Sequence, residues 1–197
     1  MNPEGWHVHM QRKSDPDFRS LQKKILERDH ATCQFCGFQA AEYQEVVNID
    51  QNYQNNSASN LATACCFCSQ CFFISMIGQY GFGGGTLIYL PEMTQNELNA
   101  FCHVIFCAMA NETSYRDAAQ TVYRNLKFRS QAVEDKYGPD TSKPSIFGQL
   151  LREFGDEKGE LAKQFLRDLR VLPVFDVFKP QLEHWAKTAA NELALAK

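Results

Sequence analysis

The sequence lacks any apolar run approaching the roughly 20 residues that a membrane-spanning helix needs. Residues 1–7 contain no apolar stretch of signal-peptide length either. A basic surplus is also absent, because 20 Lys and Arg face 23 Asp and Glu, and the formal net charge is −3. Nucleic-acid binders usually carry a clear positive excess. We therefore expect a soluble cytoplasmic protein with no direct membrane span and no nucleic-acid partner.

The glycine-rich segment at residues 81–85 lacks the features of a phosphate-binding loop. No Gly-Lys-Ser or Gly-Lys-Thr follows it, and it precedes a strand-like run at 86–90, not a helix. A phosphate loop needs both the lysine and a helix N-terminus. The glycines therefore predict a structural turn.

Cysteine, in contrast, is plentiful, with eight residues in the chain. C-x-x-C pairs in a protein expected to be cytosolic indicate metal binding, not disulfides. The first pair, Cys33 and Cys36, precedes Gly37 and is typical of a zinc knuckle, in which a tight turn directs both sulfurs at one metal. A second cluster follows, and its cysteines are Cys65, Cys66, Cys68 and Cys71.

The hydrophobic pattern predicts an α+β protein. Residues 1–14 are polar and predict irregular structure with Trp6 as its anchor. A helix is expected to begin at Asp15 and Pro16, because proline suits the first helical position. The remaining predicted elements, in chain order, are a strand at 45–50, a loop at 51–59, a helix at 72–77, a strand at 86–90, a helix capped by Thr94 and Glu97, one helix from Ser114 through Val133 to Gly138, and helices at 146–154, 161–169 and 182–189.

Part of the chain resembles the HNH endonuclease-type zinc fold, also called ββα-metal. The runs that carry this resemblance are LERDHATCQFCG at 26–37, VVNID at 46–50 and SNLATACCFC at 59–68. In that fold a knuckle, a β-hairpin, an Asn-Leu step and a second C-x-x-C lead into a helix. The spacing from Asn60 to Cys65 matches the fold and implies that Cys68 completes the second pair. The resemblance thus implies one structural zinc per chain, with the ligands Cys33, Cys36, Cys65 and Cys68.

The order of the predicted elements divides the chain into two regions. We expect residues 1–90 to form the HNH-like zinc-binding region with two knuckles, and residues 91–197 to form a helical region packed on it as one compact unit. Cys102 and Cys107 fall on an apolar helix of the second region. We expect both to be buried structural thiols.

Other ligand sets remain open. Cys68 and Cys71 form an alternative knuckle, and Cys66 is expected to be an inward-packing or spare thiol. Cys65, Cys68 and Cys71 also have the spacing of the first three ligands of a bacterial iron–sulfur cluster, but Ser75 holds the fourth position. Zinc is favoured because two knuckles that flank a hairpin close a tetrahedral site.

The HNH resemblance does not extend to catalysis. An HNH nuclease uses a histidine as general base in the strand after the first knuckle, and that position falls at Asn48, whose amide cannot accept a proton near neutral pH. No histidine occurs between His30 and His103. Asp50 and Glu45 are the carboxylates available there as metal ligands. We therefore expect no enzymatic activity, and a metal-dependent HNH-type nuclease acting on DNA is the alternative. Asn60 is expected to tie the hairpin together by hydrogen bonds.

Longer runs resemble the IcmJ/DotN family of type IVB (Dot/Icm) secretion systems, from about residue 15 to the C-terminus. These runs are TCQFCGFQA at 32–40, TACCFCSQCFF at 63–73 and YGFGGGTLIYLPEMTQNELNAFCHVIFCA at 80–108. The resemblance implies a zinc-stabilised structural component of the coupling complex at the cytoplasmic face of the inner membrane. The implied partners are the C-terminal tail of the coupling ATPase, a membrane-bound subunit and the adaptor subunits. The implied role is to help recruit effector proteins for export.

Overall fold

The computed structural model describes residues 3–111, 114–154 and 166–195 and confirms the α+β class. The helices are α1 Pro3–Arg12, α2 Pro16–Arg28, α3 Cys66–Gln70, α4 Gln95–Ala110, α5 Arg116–Phe128, α6 Gln131–Tyr137, α7 Pro144–Phe154 and α8 Lys179–Leu195. The strands are β1 Gln44–Asn48, β2 Leu61–Cys65, β3 Gly85–Tyr89 and β4 Leu169–Pro173, and short 3-10 helices span Ala58–Asn60, Cys71–Met76 and Phe175–Phe178. Helices dominate the C-terminal half.

The strands form two separate antiparallel pairs. β1 and β2 make a hairpin in which Val46 lies opposite Thr63. β3 pairs with β4, and Leu87 lies opposite Val171. The helix predicted over 161–169 and closed by Pro173 is present at Leu166 and Arg167 and is wrong from Leu169, where β4 begins. Residues 161–165 lie outside the described residues. Pairing with a strand distant in the sequence overrides the local helical pattern.

The N-terminal segment forms helix α1, so the prediction of irregular structure is wrong. Trp6, His9 and Arg12 are three residues apart and lie on one buried face, with exposures of 7%, 1% and 6%. Two of the three are polar, and this hides the amphipathic pattern from a hydrophobicity count. The role of Trp6 as an anchor is confirmed, because it packs in a cluster with Tyr53 and Phe73.

Helix boundaries follow their capping residues. The Asp15 side chain accepts a hydrogen bond from the Asp17 backbone at the start of α2. The predicted capping box of Thr94 and Glu97 is present at the start of α4. The single helix predicted from Ser114 to Gly138 is instead two helices. The break lies at Ser130, where the backbone turns before α6 begins.

The largest hydrophobic core joins the hairpin to the second strand pair through α3 and α4. Its most deeply buried large side chains are Phe67, Ile88, Leu98, Phe106 and Leu172. Cysteines of both C-x-x-C pairs belong to the same core. Among the described residues, no helix combines the length and the apolar character needed to cross a bilayer.

Gly148 allows α7 to pack directly on the 3-10 helix Cys71–Met76. A Cβ atom at Gly148 would lie 2.7 Å from the Cα atom of Ser75. Alanine in a helix normally stabilises by about 1 kcal/mol relative to glycine. We expect Gly148→Ala to lower the free energy of unfolding instead, by about 1–3 kcal/mol, because backbone must move. Urea denaturation measures the free energy of unfolding.

Gln149→Ala, at an exposed position of the same helix, is the control and should change the free energy of unfolding by less than about 0.5 kcal/mol. Equal changes in both variants would contradict the prediction.

Candidate metal centre

Four cysteine sulfurs meet at one point in the core. The Sγ atoms of Cys33, Cys36, Cys65 and Cys68 all lie within 4.8 Å of one another. The Cys36 and Cys65 sulfurs are 3.6 Å apart. A tetrahedral metal with sulfur at about 2.3 Å requires sulfur–sulfur distances of about 3.8 Å. The donor set therefore fits a tetrahedral metal that prefers thiolates.

Two local structures position these sulfurs. Cys33 and Cys36 lie in a tight turn after α2, where the Gly37 backbone donates to the Cys33 carbonyl at 3.0 Å. Gly37 has a φ of +77°, so the predicted left-handed glycine is present. Cys65 ends β2, and Cys68 lies in the first turn of α3. The strand-to-helix step thus places the second pair opposite the first.

The site is closed on most sides. Cys33, Cys65 and Cys68 are 1%, 0% and 3% exposed, while Cys36 is half-buried. Burial raises the pKa of the Cys65 thiol well above its ordinary value. Hydrogen bonds from the Cys33, Cys65 and Cys68 thiols lower the pKa of Cys36. Four thiolates this close together are stable only around a cation.

Two side chains of α4 contact the sulfurs. The Asn99 side-chain amide donates to the Cys68 sulfur at 3.2 Å, and the His103 Nε2 atom lies 3.3 Å from the Cys65 sulfur. His103 lies outside the cysteine motifs in the sequence, and no motif predicts a role for Asn99. The available signal was the spacing of Gln95, Asn99 and His103, which are four residues apart on a helix that is apolar over most of its remaining length.

The spare cysteines lie outside this group. In the part of the chain that the structure describes, the four-sulfur group includes neither Cys66 nor Cys71. The Cys71 thiol donates to the Phe67 carbonyl at 3.3 Å, and burial raises its pKa to about 12. Cys102 is buried, as predicted. Cys107 is exposed, so its predicted burial is wrong. It lies on the solvent-facing side of α4.

No family model matches the chain. The chain is similar to a curated protein, the type 4 apparatus protein DotN of Legionella pneumophila subsp. pneumophila. The two sequences are 52% identical over 193 residues. The match covers 98% of this chain and 90% of that protein. The chain belongs to the IcmJ/DotN family. The sequence resemblance is thereby confirmed over nearly the whole length.

The predicted base position of this IcmJ/DotN member is occupied by a fully bonded amide. Asn48 is 0% exposed. Its Oδ1 accepts from the Arg12 guanidinium at 2.6 Å. Its Nδ2 donates to the carbonyls of Asn52 and Asn55 at 2.9 and 2.7 Å. The oxygen and the amino group of this amide are therefore both engaged by protein groups.

Asn60 ties the hairpin together, as predicted. Its Nδ2 donates to the Asp50 carboxylate at 2.8 Å, and its Oδ1 accepts from the Asp50 backbone at 3.1 Å. Asp50 is exposed and also receives the Asn55 side-chain amide at 2.9 Å. These bonds lower the pKa of Asp50. The carboxylate is thus engaged in loop structure.

Arg12 forms the centre of a second buried polar group, beside β1. Its guanidinium donates to the Val46 carbonyl at 2.7 Å and lies 4.1 Å from the Phe18 ring centroid. His9 reaches Glu45 at 3.1 Å. Burial lowers the pKa of His9. Burial of Glu45 opposes its ionisation, but the bond from His9 and the charges nearby outweigh this effect and lower its pKa to about 2.

Loss of one of the four clustered cysteines should be far more damaging than loss of a surface thiol. We expect Cys33→Ser and Cys68→Ser to yield aggregated protein, because metal-binding free energy is also folding free energy. Cys107→Ser, at an exposed position of α4, is the matched control and should be mild. Soluble yield, thermal midpoint and metal content test this. Equal thermal stability of all three variants would count against the ligand assignment.

The guanidinium group of Arg12 should be specifically required for stability, because it donates to two acceptors at once. Arg12→Lys keeps the charge but cannot reach both the Asn48 side chain and the Val46 carbonyl. We expect it to lower the free energy of unfolding by about 1–3 kcal/mol, because a buried acceptor loses its partner. The control is Arg19→Lys at an exposed position of α2, which should change little. Denaturant titration of both variants measures this free energy. An unchanged value for Arg12→Lys would contradict a stabilising role for the two Arg12 hydrogen bonds.

Proposed function

We propose that this chain is a non-catalytic structural component of a type IVB secretion coupling complex, stabilised by one zinc ion. The observation that carries the proposal is the 52% identity to a protein named as type 4 apparatus protein DotN. Identity at this level over nearly the full chain makes a shared role in the secretion apparatus the best-supported conclusion. The remaining details follow from the site and from the family resemblance.

Zinc is the metal we assign to Cys33, Cys36, Cys65 and Cys68. Four thiolates in a closed arrangement are typical of structural zinc sites, in which the ion supplies folding free energy. Mg²⁺ and Ca²⁺ prefer oxygen ligands, which this group does not offer. A site without an open coordination position does not activate water, so the proposed ion holds the fold together.

We further propose that the metal region is an HNH-like unit. The order of its parts supports this. A knuckle is followed by β1, by Asn60 directly before β2, and by a second C-x-x-C that begins at the end of β2 and enters α3. The unit differs from a nuclease at the base position. Asn48 is buried and fully bonded there.

The proposed partner is the C-terminal tail of the coupling ATPase, in a complex that also holds a membrane-bound subunit and the adaptor subunits. In this arrangement the protein is cytoplasmic and peripheral at the inner membrane, and it helps recruit effector proteins. The chain offers exposed aromatic side chains that can anchor a peptide. Examples are Tyr80, Tyr115 and Phe128, which are 85%, 71% and 77% exposed.

Co-purification with the coupling ATPase tail, combined with metal analysis, tests the proposal. The tail is expressed with an affinity tag together with the full chain, and eluted protein is quantified against an untagged control. We expect a stable complex that contains one zinc per chain. Iron in place of zinc, or no binding to the tail, would contradict the proposal.

The nuclease alternative makes an opposite prediction. Metal-loaded protein should leave supercoiled plasmid intact under our proposal, because the base position holds an amide. Cleavage that is lost on substitution of Asn48, Asn60 or Asp50 would overturn the non-catalytic assignment. Substitution of the exposed Arg19 controls for contaminating nuclease.

A further inference from the structure

Three polar side chains form a stripe on the inner face of α4. Gln95, Asn99 and His103 are separated by four residues each and therefore lie above one another on the helix. Asn99 is 0% exposed and His103 is 8% exposed. Burying polar groups in an apolar core is costly unless they are hydrogen-bonded. The partners of this stripe therefore indicate why it is polar.

The hydrogen bonds fix the direction of the Asn99 amide. The Val171 backbone N–H donates to Gln95 Oε1 at 2.7 Å, which makes Nε2 the donating end of Gln95. Gln95 Nε2 donates to the Val171 carbonyl at 2.9 Å and to Asn99 Oδ1 at 3.0 Å. Asn99 Nδ2 must then face the Cys68 sulfur, 3.2 Å away. The orientation follows from a backbone N–H, whose donor role is fixed.

Stacking contacts fix the orientation of the His103 ring. It lies between two aromatic rings, with centroid distances of 3.6 Å to Phe38 and 4.3 Å to Phe67. Its Nε2 lies 3.3 Å from the Cys65 sulfur. A metal-bound thiolate only accepts hydrogen bonds, so Nε2 must carry the proton in the metal-loaded protein. Within the described residues, Nδ1 then has no hydrogen-bond partner, which is consistent with an unprotonated nitrogen.

From these contacts we infer that Asn99 and His103 are positioning residues of the metal centre. Their N–H groups donate to the sulfurs of two ligands, and they thereby slow metal release and hold α4 on α3. The inference rests on the proposed metal at the four cysteines. Four thiolates outweigh the charge of one zinc ion, so the centre carries excess negative charge. N–H donors directed at the sulfurs offset this charge in a core that excludes water.

The same contacts extend beyond the ligands. Cys68 is connected through Asn99 and Gln95 to the backbone of Val171 in β4. The metal centre is therefore joined to the second strand pair by a continuous series of hydrogen bonds. Side chains that only filled space at Asn99 and His103 would be apolar, as their neighbours Leu98 and Phe106 on the same helix are.

A direct test detects the two N–H···S hydrogen bonds in unmodified protein. The full chain is loaded with an NMR-active cadmium isotope in place of zinc, and proton–cadmium correlation spectra are recorded. We expect cross-peaks from the metal to the Asn99 side-chain amide and to the His103 Nε2 proton. Variants with either residue replaced assign the peaks. Absence of both cross-peaks in the folded, cadmium-loaded protein would overturn the inference.

A second test measures zinc transfer from each variant to a colorimetric chelator. Asn99→Leu and His103→Phe remove the donors but keep similar bulk, and phenylalanine keeps the ring between Phe38 and Phe67. We expect transfer to become about 10- to 100-fold faster. His103→Gln places an N–H near the position of Nε2 and should restore most of the slow release. Val104→Ala, at a 66% exposed position on α4, is the control and should leave the rate unchanged.

The outcomes separate this inference from the proposed function. Equal transfer rates in all variants, with zinc bound, would overturn the role of Asn99 and His103 alone. Failure to bind the ATPase tail, with normal zinc retention and faster release in Asn99→Leu, would contradict the proposed function alone. A full chain that binds neither zinc nor cadmium would overturn both.

Discussion

The packing of the main core depends on four cysteine sulfurs that lie close together inside it. The four lie within 4.8 Å of one another, and thiolates so placed repel each other and lose their hydration. A cation between them reverses the balance, and the proposed zinc ion supplies it. Because the four cysteines come from two separate segments, binding of the proposed ion would also close the chain around it. The core depends on this closure, since Cys65 and Cys68 pack in the same cluster as Phe67 and Phe106.

Two buried polar networks flank the hairpin and determine how its neighbours pack. On one side, the Arg12 guanidinium fixes α1 against β1 through the Asn48 side chain. On the other, Asn99 and His103 fix α4 against the sulfurs of Cys68 and Cys65. Apolar contacts alone permit small rotations and shifts of a helix, whereas a directional network favours one arrangement. The fold thus uses hydrogen bonds to place the helices that its hydrophobic core stabilises.

Local signals in the sequence predicted the local structure. The C-x-x-C spacing left Cys68 and Cys71 open as a second pair, and the HNH resemblance selected the four cysteines that meet. The capping residue Thr94 marked the start of α4. Helix α1 was missed because its inner face carries Trp6 and Arg12 in a mostly polar segment. Strand β4 was missed because it exists only by pairing with β3, which is distant in the chain. The donors Asn99 and His103 were missed because their partners are set by tertiary packing.

Helix α8 packs against the segment that follows the first knuckle. The Trp185 indole donates to the Glu42 carbonyl across a separation of 143 residues, and its ring lies 4.7 Å from the Phe38 ring. The sulfur site draws on a short stretch of sequence, so its parts are available early in synthesis. The outer wall of the knuckle is complete only after α8 has been made. Contacts of such long range form slowly, so we expect the wall that Trp185 adds beside Phe38 to close late in folding.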